Sequence, residues 1–210
     1  MSGDTATDPF AATAPGLAAE AVRFASFGWM RGTSGNLSAV LSDDPIRLAV
    51  TASGVDKGAL SAADVTVVDD LGASVPDYPG SGRARPSAEA ALHARIVRLT
   101  RARAAVHVHT VAAVVAARRW PDGVPLGELE MLKGIALPAS GESVVLPVIA
   151  NSQDMTELGD RLEQAWNPRV PGVLIADHGL YAWGDGLMSA RHHTEIIEWV
   201  LEFLITAADR

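Results

Sequence analysis

A single α/β domain is what the sequence predicts, and three observations carry that expectation. Hydrophobic residues fill 48% of the 210 positions and charged residues 20%, the balance of a chain that buries an ordinary core. Runs with strand character alternate with runs of helical spacing along the whole length. No linker, repeat or low-complexity tract divides them, so residues 15–210 read as one domain behind a flexible N-terminus of residues 1–14.

The elements follow in chain order. Leu17, Ala21, Phe24 and Trp29 recur near helical spacing and predict a helix over Pro15–Met30. After the Gly-rich turn RGTSGNLS, strands are predicted at Leu37–Leu41 and Ile46–Thr51. TASGVDKG is a second turn, and Val65–Val68 with Ala73–Val75 around Asp-Asp-Leu-Gly predicts a hairpin. Pro86-Ser87-Ala88-Glu89 opens a helix to Leu99, because Ser and Glu suit the exposed N–H groups of a first turn. A strand at Ala104–His109, a helix at Val111–Arg119 and helical character at Glu128–Ile135 come next. Ser143–Ile149 reads as a strand and Asp154–Trp166 as a helix. Strands at Val173–Ala176 and Leu180–Trp183 precede a closing helix, Ser189–Ala208, with one apolar stripe through Ile196, Val200 and Leu204.

Composition narrows the function classes. Seventeen basic against twenty-five acidic residues give a net charge of −8, the opposite of a nucleic-acid binder's balance. The longest uncharged stretch of the apolar middle, Ala104–Ala117, contains two histidines and is too short to span a bilayer. With no cysteine there is neither a disulfide framework nor a thiolate metal site. The opening MSGDTATDPFAATAPG lacks the basic and apolar regions of a signal peptide, so a cytoplasmic location is expected.

Three histidines stand out. His107 and His109 alternate with Val106 and Val108, and on a strand residues i and i+2 share a face. His178 ends an apolar run at Asp-His-Gly, where Gly179 allows a tight turn. Three imidazoles without cysteine suit Zn²⁺, and Co²⁺, Fe²⁺ or Mn²⁺ would accept the same donors. His93, four residues after Glu89, is expected to cap or pair with it, and His192 and His193 to be solvated or at an interface.

The turns at Gly32–Asn36 and Thr51–Gly54, with Ser87 at a helix start, offer N–H and hydroxyl donors for an anion. Taken singly each is an ordinary turn. Lys57 is a candidate for the missing positive charge or a plain surface lysine. Glu89 and Glu130 are candidate acid/base groups or ordinary helix-surface carboxylates, and composition does not choose between those readings.

The order TSGNLS, TASGVDKG, RPSAEAALH, VHVHT and DHGLYAWG resembles the class II aldolase (aldolase/adducin head) superfamily, from about Leu17 to Leu204. GVDKG, LEMLKGI, NSQDM and HGLYAWG look most like its branch of sugar-phosphate dehydratases. The resemblance implies a three-layer α/β/α sandwich around a largely antiparallel sheet, assembled as a homotetramer with sites at subunit interfaces. It implies one Zn²⁺ per chain on His107, His109 and His178, with phosphate contacts at Asn36, Ser53, Gly54 and Ser87. Glu130 falls on the dehydratases' acid/base, and Glu89, the aldolases' acid/base position, is left a supporting part. The chain has Ser87-Ala88-Glu89 where the aldolases often have Ser-Ser-Glu, one donor fewer. The implied partner is a phosphorylated ketose, dehydrated in methionine salvage. The alternatives are an aldolase or epimerase of the same superfamily, or a non-catalytic adducin-head-like interaction module.

Overall fold

A computed structural model describes residues 8–82 and 84–208. The first helix, α1 (Pro9–Ser26), begins before the expected Pro15. The Asp8 carboxylate accepts from the Phe10 N–H at 3.0 Å, and Pro9 opens the helix where its missing N–H costs nothing. The expectation for residues 1–7 lies outside the described residues. Gly28, at φ +75°, ends the helix short of Met30.

Seven strands form the main sheet: β1 (Asn36–Asp43), β2 (Ile46–Thr51), β3 (Val65–Val68), β4 (Ala104–Val108), β7 (Val148–Ile149), β8 (Gly172–Ile175) and β9 (Gly179–Gly184). Their spatial order is β3-β2-β1-β4-β9-β8-β7, antiparallel throughout except for the parallel β7–β8 pair. Ser143–Ile149, expected as one strand, is broken by Pro147 into β6 (Val144–Leu146) and β7. β6 pairs with β5 (Val124–Leu126) in a separate two-stranded sheet. The second arm of the expected hairpin shrinks to a single bridge between Val68 and Ser74.

The remaining helices are α2 (Ala90–Thr100), α3 (Val111–Arg119), α4 (Met155–Ala165) and α5 (Leu187–Ala208). Alternation along the central strands divides the core. Ala104, Val106 and Val108 of β4 pack in one cluster with apolar residues of α1, α3 and α5. Ala105 and, on β9, Tyr181 and Trp183 pack in another with α2 and α4. The period of two therefore aims even and odd residues of β4 at different helices. Of Glu128–Ile135, expected as helical, Glu130–Ile135 forms a 3-10 turn whose Leu132 and Ile135 are buried.

Two features of this packing are testable. Gly179 starts β9 against β4 so closely that a Cβ would lie 2.2 Å from the Val108 carbonyl oxygen, whereas a Cβ at Gly186 meets nothing. Gly179→Ala is expected to cost about 1–3 kcal/mol in thermal or denaturant unfolding, and Gly186→Ala less than about 0.5 kcal/mol. Glu198 of α5 is buried, with Oε1 accepting from the Thr110 hydroxyl at 2.9 Å. Burial pushes its carboxyl up to about 8, opposed by the Thr110 bond and reinforced by Glu202. Between about pH 4.5 and 8 the unfolded chain ionises this group while the folded chain does not, so stability is lost as pH rises. Glu198→Gln should gain on the parent across that window, by up to about 5 kcal/mol, and chemical denaturation at pH 4.5 and 8 reads the difference.

Candidate metal centre

β4 is central in the sheet, held by β1 on one side and β9 on the other, and it carries His107 near its end. His109 follows just beyond the strand, its N–H bonded to the Trp29 carbonyl at 2.9 Å. His178 sits in the tight turn between β8 and β9, after Asp177 at φ +55°. The Nε2 atoms of the three rings lie 2.8 Å (His107–His109), 3.2 Å (His107–His178) and 3.1 Å (His109–His178) apart. Glu89, just before α2, places Oε1 3.1 Å from His178 Nε2 and 3.5 Å from His107 Nε2.

This donor set fits a divalent cation. His107 Nδ1 is 3.0 Å from the Leu180 carbonyl, which only accepts, so Nδ1 carries the proton and Nε2 presents its lone pair to the cluster. Tetrahedral ligation at Zn–N distances of 2.0–2.1 Å would separate the nitrogens by about 3.3 Å, close to the spacing found. Burial, with the neighbouring His107 and His178 rings, lowers the His109 imidazole to about 4, so its ring stays neutral at pH 7. Burial alone would raise the Glu89 carboxyl, but in the metal-free cluster the neighbouring His107 and His178 rings, with a hydrogen bond from Asn36, hold it below the carboxylate range. Behind the cluster Tyr181 stacks on His107 at 3.9 Å between centroids and 11°. Burial and the nearby Glu89 push its phenol well above the usual value.

Above the centre opens a polar cavity of about 850 Å³ including its mouth. Asn36, Ser53, Lys57, Ser87, Glu89, His109 and His178 all line it, so most of the expected residues converge. Gly54 sits beside Ser53 in the same turn, exposed and at φ +75°. Ser152, Gln153 and Met155 complete the wall from the NSQDM segment, to which sequence reasoning gave no role.

Three expected residues have surroundings that the sequence did not suggest. Lys57 is buried, and its ammonium donates to the carbonyls of Thr33, Ala52 and Val55 at 3.1–3.2 Å. All three protons are thus engaged in tying the two small-residue turns together. Asn36 spends its amide protons on Ser87 Oγ (3.0 Å) and Glu89 Oε2 (2.7 Å). Glu130 lies outside the cavity, exposed on its 3-10 turn and paired with Lys133 Nζ at 2.6 Å. His93, expected to cap or pair with Glu89, turns its ring to Ser38 and Asn36, and its backbone N–H meets the Glu89 carbonyl at 3.2 Å. His193 Nδ1 bonds to the Trp183 carbonyl, and His192 meets Arg191.

Residues 16–205 match the model of the class II aldolase and adducin N-terminal domain, and the chain belongs to that family. Among its relatives is the methylthioribulose-1-phosphate dehydratase of Sorangium cellulosum (strain So ce56), 40% identical over 89% of this chain and 90% of the relative. That of Persephonella marina (strain DSM 14350 / EX-H1) is 36% identical over 87% and 84%. Among solved structures, an L-fuculose 1-phosphate aldolase superposes with a TM-score of 0.75 at 25% identity, covering 94% of this chain and 87% of that one. The L-fuculose-1-phosphate aldolase from Thermus thermophilus shares the fold, with a TM-score of 0.73, 22% identity and 95% coverage of both chains. Among the described residues no helix is long and apolar enough to cross a membrane.

Elemental analysis of the purified protein is expected to find one divalent ion per chain. His109→Ala should lose that ion together with turnover. Full zinc occupancy after all three histidines are changed to alanine would overturn the assignment.

Proposed function

We propose that this chain is a zinc-dependent methylthioribulose-1-phosphate dehydratase, converting 5-methylthioribulose 1-phosphate to 2,3-diketo-5-methylthiopentyl 1-phosphate. The observation that carries this reading is the convergence of three imidazoles and one carboxylate at a polar cavity. Relatives bearing that name match over most of their length and give the reaction its identity. The core clusters on opposite faces of the sheet support the three-layer α/β/α sandwich.

A divalent ion at this centre supplies Lewis acidity to the substrate ketone and so acidifies the neighbouring C–H. The chain's own residues must then bind the phosphate, remove the C3 proton and protonate the departing C4 hydroxyl. Ser87 Oγ accepts from Asn36 and from the Glu89 N–H, at 3.0 and 3.3 Å, which leaves its own proton for an anion in the cavity. Among the described residues the Ser53 hydroxyl has no partner, and it is a second donor. Asn36 and Lys57 support the phosphate by fixing the turns around it, Lys57 through its three carbonyls. Gly54 contributes backbone.

Glu89 lies among the candidate donors, with Oε1 3.1 Å from His178 Nε2 and Oε2 accepting from Asn36. Its part is to orient and to balance charge, while Glu130 carries the proton. Because Glu130 faces outward in its own chain, it serves the centre of a neighbouring copy in a homotetramer. Beside His109 and His178 lies a shallow apolar groove with exposed Val111 and Val115, which suits such a contact.

Glu130→Gln is expected to lose about 10²–10⁴-fold in kcat while keeping its zinc, and Glu89→Gln to retain more activity. Co-expressed His109→Ala and Glu130→Gln subunits should recover turnover, since mixed tetramers contain sites with both residues intact. No recovery places Glu130 in its own subunit's site or outside catalysis. Incubation with methylthioribulose 1-phosphate should release the diketone. Release of dihydroxyacetone phosphate from fuculose 1-phosphate would favour the aldolase reading, which the structural likeness also supports.

A further inference from the structure

Asn36 opens β1 directly opposite His107, and its side-chain amide lies between Glu89 and His93. The Asn36 NH₂ group donates to Glu89 Oε2 at 2.7 Å and to Ser87 Oγ at 3.0 Å. The amide oxygen is thereby turned to His93 Nε2, with which it makes a short hydrogen bond. An amide oxygen has no proton to give, so Nε2 bears one. Burial, with the nearby His107, pushes the His93 imidazole down to about 3 against the pull of Glu89, and a neutral ring carries a single proton. Nδ1 is therefore bare and accepts from the Ser38 hydroxyl at 2.7 Å. The orientation of the Asn36 amide thus sets the direction of each hydrogen bond back to Ser38, and Asn36, His93 and Ser38 are all buried.

The same ring braces the cluster from a second side. His93 stands edge-on to Tyr181, 5.4 Å between centroids, and Tyr181 is the residue stacked on His107. Removing the His93 N–H would leave the Asn36 oxygen buried without a donor. The amide would then be held from its NH₂ side alone, by Ser87 and Glu89, and its grip on Glu89 would loosen as the bare oxygen turned toward another donor.

We propose that His93 is a positioning residue that locks the Asn36 amide and so holds Glu89 on the three imidazoles. This rests on the four side chains being a metal centre and is independent of which ketose is dehydrated. His93 does not touch the reacting atoms; it acts through Asn36. Partners one step removed from a metal centre usually change its affinity about 10–100-fold when lost.

Two measurements test the proposal. In the metal-free parent protein, ¹⁵N imidazole shifts should report His93 as the Nε2–H tautomer at neutral pH. An Nδ1–H tautomer or a charged ring overturns the lock, whether or not any variant folds. In parallel, zinc affinity is measured by competition with a chromophoric chelator for His93→Leu and His93→Gln, after thermal melting shows both folded. His93→Leu should bind zinc about 10–100-fold more weakly. His93→Gln, whose amide N–H can stand near the position of Nε2, should stay within about threefold of the parent if rescue of the donor is what matters. Parent-like zinc affinity in His93→Leu, or equal losses in the two variants, refutes the role. Failure of the parent itself to bind zinc refutes the metal centre instead, and the tautomer still decides the hydrogen-bond chain.

Discussion

The contact on which the rest of the site depends is the bond from His107 Nδ1–H to the Leu180 carbonyl, made between the two central strands. It fixes which nitrogen of the most buried imidazole faces the cluster, and it is a property of sheet register, not of loops. β4 has neighbours on both edges, so the ring cannot drift without disturbing two ladders. His109 and His178 then close in from strand ends, and Glu89 from the turn before α2. A rigid strand supplies the anchor and shorter segments supply the approach, an arrangement that holds donors closely without making the whole site stiff.

Much of this was legible in the sequence, for identifiable reasons. The H-x-H pair could be placed on one face because strand periodicity is short-range, and the Asp-His-Gly turn marked a strand end. The four-residue cluster, including Glu89, contains the three histidines first singled out. The fate of Lys57 was not legible, since three carbonyls from two separate turns become its partners only after folding. Nor was the outward position of Glu130, because a 3-10 turn and a helix share similar local spacing while aiming side chains differently. The start of α1 was missed although Asp8-Pro9 carries a helix-start signature, because the neighbouring Ala, Thr and Pro residues resemble a tail.

The electrostatics explain how an acidic protein can work on a phosphorylated substrate. A net charge of −8 gives no long-range attraction for an anion, so recognition falls to donors aimed at close range. Lys57 places a positive charge beneath the cavity floor, where burial lowers its pKa against the pull of Asp56 and Asp64. Glu89 is an acidic group among nitrogen donors, and it favours positive charge at the centre.

The wide separation of the histidines along the chain has a consequence for biosynthesis. His107 and His109 leave the ribosome about seventy residues before His178, and β9 and α5 emerge last of all. Until then β4 has only β1 as a sheet neighbour, the Leu180 carbonyl is absent, and two imidazoles form half a centre. Half a centre would hold a cation weakly, since two donors replace fewer of the ion's waters than four. A divalent ion at this centre would be captured only once β9 lies beside β4, which would couple its acquisition to completion of the sheet.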